Sequence, residues 1–167
     1  MNLEDLKYQV ENCRKCGLWE NRSHPVLGEG NPKAEVMFIG EAPGREEDRL
    51  GRPFVGAAGK FLNKLLRMSG LIRGEVYITN VVKCRPPNNR NPTDEEIEAC
   101  SPYLDTQIRW IQPKVIISMG SIALSYFSKK YGIKPISVSK LHGSVKVINA
   151  LTLQFKLFIT YHPAAGL

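Results

Sequence analysis

The sequence predicts an α/β protein, a parallel sheet with helices on both faces. Two observations carry that class. Short, continuous apolar runs recur at Glu35 to Ile39, Val76 to Val82, Val115 to Met119 and Leu157 to Thr160. Strands buried on both faces read as such runs rather than as a polar–apolar alternation. Stretches with helical spacing lie between them, and strands alternating with helices build parallel sheets. A third observation places the function. Polar clusters at Gly40-Glu41-Ala42-Pro43-Gly44, Thr79-Asn80 and His162-Pro163 fall at the carboxyl ends of predicted strands, the edge at which open α/β sheets bind ligands.

Taken in order, Leu3, Leu6 and Val10 mark one face of a short helix over Leu3 to Val10 that leads into the first cysteines. Gly28 to Pro32 is rich in Gly, Pro and Asn and reads as a loop before the first strand. Phe61, Leu62, Leu65 and Leu66 are spaced for a helix over Gly56 to Met68. After the second strand, Thr93-Asp94-Glu95-Glu96 is a capping-box start, and the helix it opens runs to about Ile111. The third strand hands over at Gly120-Ser121 to a helix ending near Tyr131. Ser137 to Leu153 alternates loosely and predicts an extended excursion or hairpin before the fourth strand.

At 167 residues the chain has the size of one domain, and such a chain buries roughly 70% of its unfolded surface, enough for a core without disulfides. Its 43% hydrophobic and 23% charged residues exclude a disordered or collagen-like chain. No apolar run reaches the ~18–20 residues of a membrane span; Val115 to Phe127 is too short and broken by Ser and Gly. The opening residues carry Glu4, Asp5 and Glu11 and no apolar segment of a secretory signal. The expectation is a soluble, cytoplasmic protein without a membrane partner. The 23 Lys and Arg against 16 Asp and Glu leave a net charge of +7, which suits a polyanion but by itself locates no site.

Cys13 and Cys16 form a C-x-x-C, while Cys84 and Cys100 are separated by 15 residues. Four thiolates can hold zinc or an iron–sulfur cluster, and the spacing leaves both open. The reading without metal is two solvent-facing thiols and two buried core cysteines. Disulfides do not suit an intracellular chain.

Three familiar patterns fail. GRPFVGAAGK, over Gly51 to Lys60, lacks the phosphate-loop spacing, and Lys60 is followed by Phe61. Gly28-Glu29-Gly30 has no third glycine and precedes a strand instead of following one. No G-x-S-x-G nucleophile elbow is present.

What remains is a series of motifs: Gly40-Glu41-Ala42-Pro43-Gly44 with Glu46-Glu47-Asp48, Arg52-Pro53-Phe54-Val55-Gly56, Thr79-Asn80-Val81-Val82-Lys83-Cys84, and His162-Pro163-Ala164. In this order, from Cys13 to Ala165, the chain resembles the family 4 uracil-DNA glycosylases. The resemblance implies a three-layer α/β/α sandwich with a four-stranded parallel central sheet in one domain over residues 1–167. It also implies one 4Fe–4S cluster on Cys13, Cys16, Cys84 and Cys100, and excision of uracil from single- or double-stranded DNA.

The residue types suit that chemistry. An enzyme that works on a base must extrude it and read its edge and faces. Phe54 offers a flat face, and stacking is worth ~1–3 kcal/mol per base; otherwise Phe54 is a core residue. Asn80 offers one donor and one acceptor, matching uracil O4 and N3–H where cytosine reverses both; otherwise it caps a strand end. The resemblance assigns His162 a hydrogen bond to uracil O2 as charge develops on the leaving base. Glu41 would orient water or stabilise the sugar cation, with Asn89 a second candidate. Gly40 and the backbone at Ala42 would bind the base, and Glu47 would stand beside uracil C5. Glu46 and Asp48 read as an exposed acidic helix start. Lys83, Arg85 and Arg90 would present a basic loop to phosphates.

The expected enzyme is monofunctional, forms no covalent adduct and is a monomer, with no clamp-type partner assigned. The competing reading is a non-catalytic Fe–S nucleic-acid-binding protein on the same fold. The family continues through a further loop and helix after the His162 motif. That makes Ala164 to Leu167 the expected start of a loop entering DNA, with Leu167 as an apolar wedge.

Overall fold

The computed structural model describes residues 2–134 and 137–166. Leu167, expected as a wedge, lies outside the described residues. Helix α1 (Leu3–Glu11) is opened by a reciprocal capping box between Asn2 and Asp5. Strand β1 (Glu29–Gly30) precedes β2 (Val36–Gly40), α2 (Arg45–Leu50), α3 (Ala57–Met68) and β3 (Tyr77–Asn80). Then come α4 (Asp94–Ile111), β4 (Val115–Met119), α5 (Ser121–Tyr131), the single turn α6 (Val138–Leu141) and the hairpin of β5 (Val145–Ala150) and β6 (Leu153–Thr160).

The strands form one mixed six-stranded sheet in the order β1-β3-β2-β4-β6-β5. The pairs β2–β3, β2–β4 and β4–β6 are parallel, and β1 and β5 are antiparallel strands on the two edges. The expected sheet of four strands is therefore short by its two edges. The physical reason lies in the apolar-run criterion, which finds only strands buried on both faces. β1 is two residues long inside a Gly-rich loop, and β5 is mostly exposed. β6 begins at Leu153 rather than Leu157, because its first half alternates buried Phe155 with exposed Gln154 and Lys156.

Successive strand residues point to opposite faces, and the core divides accordingly. Met37, Ile39, Ile116 and Leu157 join Leu6 of α1, Leu104 and Ile108 of α4 and Phe127 of α5 on one face. Phe38 and Ile78 join Leu62 and Leu66 of α3 on the other. Because β3, β2, β4 and β6 run in one direction, their carboxyl ends meet along one edge, and Gly40 lies opposite Asn80 in the register there.

Candidate functional site

A cleft of about 850 Å³ opens at that edge, and its lining includes Glu41, Ala42, Glu47, Phe54, Asn80, Asn89 and His162. The expected site residues thus come from four separate stretches of chain into one place. Gly40 lies beneath them. A Cβ there would fall 2.6 Å from Asn80 Oδ1 and 2.6 Å from the Phe54 ring, so only glycine lets both side chains approach the end of β2.

Asn80 is buried, and its Oδ1 has no hydrogen-bond partner. A buried amide oxygen left unmatched costs about 1–3 kcal/mol, and an acceptor of this kind beside a cleft is ready for a ligand N–H. Beneath it sits a residue the sequence reading placed elsewhere. Lys83, expected at a DNA-facing surface, is 1% exposed. Its Nζ donates to Thr79 Oγ1 at 2.7 Å, the Asn80 carbonyl at 2.6 Å and Gln107 Oε1 at 2.6 Å. Gln107 in turn donates to the Leu27 carbonyl and the Tyr77 hydroxyl. Burial pushes the Lys83 ammonium down to about 7. The extension of the apolar run Tyr77 to Cys84 across Lys83 was the one available signal of its burial.

Phe54 adopts φ +50°, the left-handed region, although it is not glycine. Its ring stacks on His162 with centroids 5.6 Å apart and planes 29° from parallel. His162 follows β6, and its Nδ1 accepts the Ala164 N–H at 3.1 Å. That bond fixes the neutral tautomer with its proton on Nε2. Burial lowers the His162 pKa, opposed by the charge of Glu47, so the neutral donor is the resting form.

Glu41, directly after β2, has its carboxyl raised by burial, which makes it a stronger base than an exposed glutamate. Glu47 is tied to backbone. Its Oε1 accepts from Gly44 N at 3.0 Å, and its Oε2 from Val55 N at 2.9 Å and Gly56 N at 2.7 Å. Asn89 stands on the rim at φ +54° with Oδ1 accepting from Arg85 Nε at 2.6 Å. Asp48, expected as exposed, is buried and accepts the Ser23 N–H at 2.9 Å, since the 23–24 loop folds over the helix start.

The basic loop is correspondingly thinner than expected. Lys83 is inside, and Arg90 is paired in a fork with Glu96 at 2.7 and 3.0 Å. Of the three cations, only Arg85 lies outside the core and has no carboxylate partner among the described residues; its Nε donates to Asn89 Oδ1.

All four cysteines are free and line a second, small cavity with Val10, Leu18, Trp19, Arg22 and Tyr103. Burial raises the thiols of Cys16 and Cys84 and pushes Cys100 up to about 12. Arg22 Nη1 donates to Cys84 Sγ at 3.3 Å, and the Lys83 backbone N–H donates to Cys100 Sγ at 3.3 Å. Donors already aimed at sulfur fit thiolates better than thiols. Among the described residues no three Cys, His, Asp or Glu side chains close on a single-ion site. A four-iron cube binds each thiolate through a different iron, so its ligands ring a cavity rather than meet at a point. Four free thiols lining one cavity, with N–H donors aimed at two of the sulfurs, are a donor set that fits such a group.

The model of the family described as the uracil DNA glycosylase superfamily matches residues 27–167, a stretch that includes the whole sheet and every residue of the cleft lining. The chain belongs to that superfamily. It is 52% identical over 167 residues to the type-4 uracil-DNA glycosylase of Sulfurisphaera tokodaii, covering 99% of this chain and 76% of the relative. It is 46% identical over 166 residues to that of Archaeoglobus fulgidus, covering 99% and 83%. A type-5 uracil-DNA glycosylase of Thermus thermophilus is 34% identical over 137 residues, 73% of this chain and 62% of the relative. Within the superfamily, the chain is a member of the type-4 uracil-DNA glycosylase family.

Proposed function

We propose that the chain excises uracil from DNA by hydrolysing the N-glycosidic bond, leaving an abasic site for base-excision repair. The observation that carries this reading is Asn80, buried, with its Oδ1 unpartnered beside a cleft walled by Phe54 and His162. An extruded uracil would place N3–H on Asn80 Oδ1 and O4 on the Asn80 amide, with its face against Phe54. The backbone at Ala42 would meet a uracil carbonyl, and Gly40 leaves room for the base. His162 Nε2–H would donate to O2 as the bond to the sugar breaks and negative charge spreads over the leaving base. Preorganised donors of this kind stabilise charge that develops only in the transition state.

Glu41, its carboxyl raised by burial, would hold the attacking water and take its proton, with Asn89 of the same cleft lining as a second candidate. Water supplies the hydroxyl that ends on the sugar carbon, and the departing base leaves with the bonding pair. No side chain becomes covalently attached in this scheme. Glu47 would border C5 as a fixed wall, since its carboxylate is held by three backbone N–H groups.

We assign one 4Fe–4S cluster to Cys13, Cys16, Cys84 and Cys100, on the strength of their shared cavity and the donors aimed at Cys84 and Cys100. When bound it supplies a cross-link between the 13–16 segment, the 84 loop and α4. We further read the chain as one domain over residues 1–167 and as a cytoplasmic monomer. No helix among the described residues is long and apolar enough to cross a membrane. The test is release of uracil from oligonucleotides containing a single uracil, single-stranded and duplex. Free uracil with an alkali-labile site supports the reading, whereas DNA binding without release would establish the non-catalytic alternative.

A further inference from the structure

We propose that Arg73 is a positioning residue that, with Glu47, holds the Pro53–Gly56 turn so that the Phe54 ring stands as a preformed wall for the base. The proposal rests on the uracil reading above. Phe54 is bulky and sits at φ +50°, a conformation that persists only where its surroundings impose it. The turn belongs to no strand or helix, so its backbone groups must find partners elsewhere.

Two charged side chains supply them in sequence. Arg73 Nη2 donates to the Pro53 carbonyl at 2.6 Å, and Nη1 donates to the Phe54 carbonyl at 3.0 Å. The next two groups, the Val55 and Gly56 N–H, donate to Glu47 Oε2 at 2.9 and 2.7 Å. Arg73 is itself aimed by Asn63 of α3, whose Oδ1 accepts from Nη1 at 2.8 Å. Gly59 closes the turn from the other side, since a Cβ there would fall 1.9 Å from the Phe54 carbonyl oxygen. Arg73 is absent from the cleft lining, so it acts on the base only through Phe54. The planar fork of a guanidinium spans two adjacent carbonyls, which an ammonium does not.

The test compares Arg73→Met, Arg73→Lys and the remote core variant Leu104→Ala for KM, kcat and free-uracil affinity, with Tm measured alongside. Arg73→Met should weaken free-uracil binding and raise KM on a single-stranded uracil oligonucleotide by about tenfold, the scale of one base–aromatic stack, with a smaller fall in kcat. Arg73→Lys should recover part of the loss. Leu104→Ala should lower Tm while leaving KM and uracil affinity unchanged. Should Arg73→Met not fold, Arg73→Lys carries the comparison with an expected two- to threefold rise in KM. An unmoved KM and uracil affinity in the folded Arg73 variants would overturn the proposal, as would the same KM rise in Leu104→Ala. If the unsubstituted protein releases no uracil, the functional reading itself fails, a result distinct from either.

Discussion

At the carboxyl ends of β2 and β3 the protein leaves polar atoms open to a cleft, whereas around its cysteines it closes apolar surface over thiols that burial keeps neutral. The Asn80 oxygen is unpartnered and the His162 proton is fixed on Nε2 by the Ala164 N–H. Those are properties of a site the chain finishes by itself. Around Cys84 and Cys100, burial raises the thiols while Arg22 and the Lys83 backbone donate to their sulfurs. The cluster proposed for that region would complete it, because a bound cation makes thiolates of buried thiols. Lys83 belongs to both, with its Nζ on the Asn80 carbonyl and its N–H on Cys100. The difference teaches that substitutions in the cleft should cost rate, and substitutions around the cysteines should cost the fold.

The largest effect tests the second half of that contrast. Cys100→Ser should remove bound iron, roughly four atoms per chain for a 4Fe–4S formula, and lower Tm by about 10–20 °C. A loss near 5 kcal/mol, typical when a metal site is lost, corresponds to such a shift at this size. Iron analysis and calorimetry on anaerobically purified protein check it. Stoichiometric zinc, or an unchanged Tm without iron, would break the comparison.

Asn80→Asp probes the first half. A carboxylate offers no donor to uracil O4, so uracil release should fall by at least about a hundredfold, with Tm within a few degrees of the parent. Rate assays paired with thermal melts decide it; a large Tm loss would place Asn80 in the framework instead.

Next in size is His162→Ala, for which kcat should fall about 10²-fold with a smaller change in uracil-DNA affinity. Its pH profile sharpens the assignment. Burial holds His162 below its usual pKa, so it stays neutral through neutral pH, while Glu41 is raised above the ordinary glutamate value. Activity should therefore decline on the acid side as Glu41 gains its proton. In Glu41→Gln that limb should vanish at a lower plateau, and its survival there would transfer it to another group.

The two regions also differ in how legible they were. The buried strands, the α4 start and the residues around the cleft follow from apolar runs, a capping box and ordered motifs, because each is a local pattern. β1 carries no such pattern, and β5 reads only as the loose hairpin over Ser137 to Leu153, because edge strands need no continuous apolar run. The burial of Lys83 and the ion pair of the exposed Arg90 escape the sequence for a different reason. Charge read along a chain does not show that Gln107 and Thr79 wait inside for one, or that Glu96 neutralises the other. Arg73 had no motif at all, since its partners are backbone carbonyls distant in sequence.

The smallest effect concerns α4, which carries Cys100 to one region and Gln107 to the other. Its first turn is fastened by Glu96, which accepts the Thr93 N–H at 2.8 Å and the Arg90 fork, while Thr93 Oγ1 accepts the Glu96 N–H at 3.2 Å. The Arg90 hydrogen bond, ahead of the Thr93 contacts, holds the Glu96 pKa below its ordinary 4.5. A carboxylate with a lowered folded pKa binds fewer protons folded than unfolded as it titrates. Its stabilisation is therefore complete above the unfolded value and is lost as pH falls through the folded one. Glu96→Gln should cost about 1 kcal/mol at pH 7, the usual worth of a helix cap, or about 2–4 °C in Tm at this size. The gap between parent and variant should narrow as pH is taken from 7 to about 3. Uracil-release rates should match throughout the range where both are folded. A rate change at pH 7 with no Tm change would mean that α4 transmits the state of its first turn to the cleft, and the separation of fold from rate would end there.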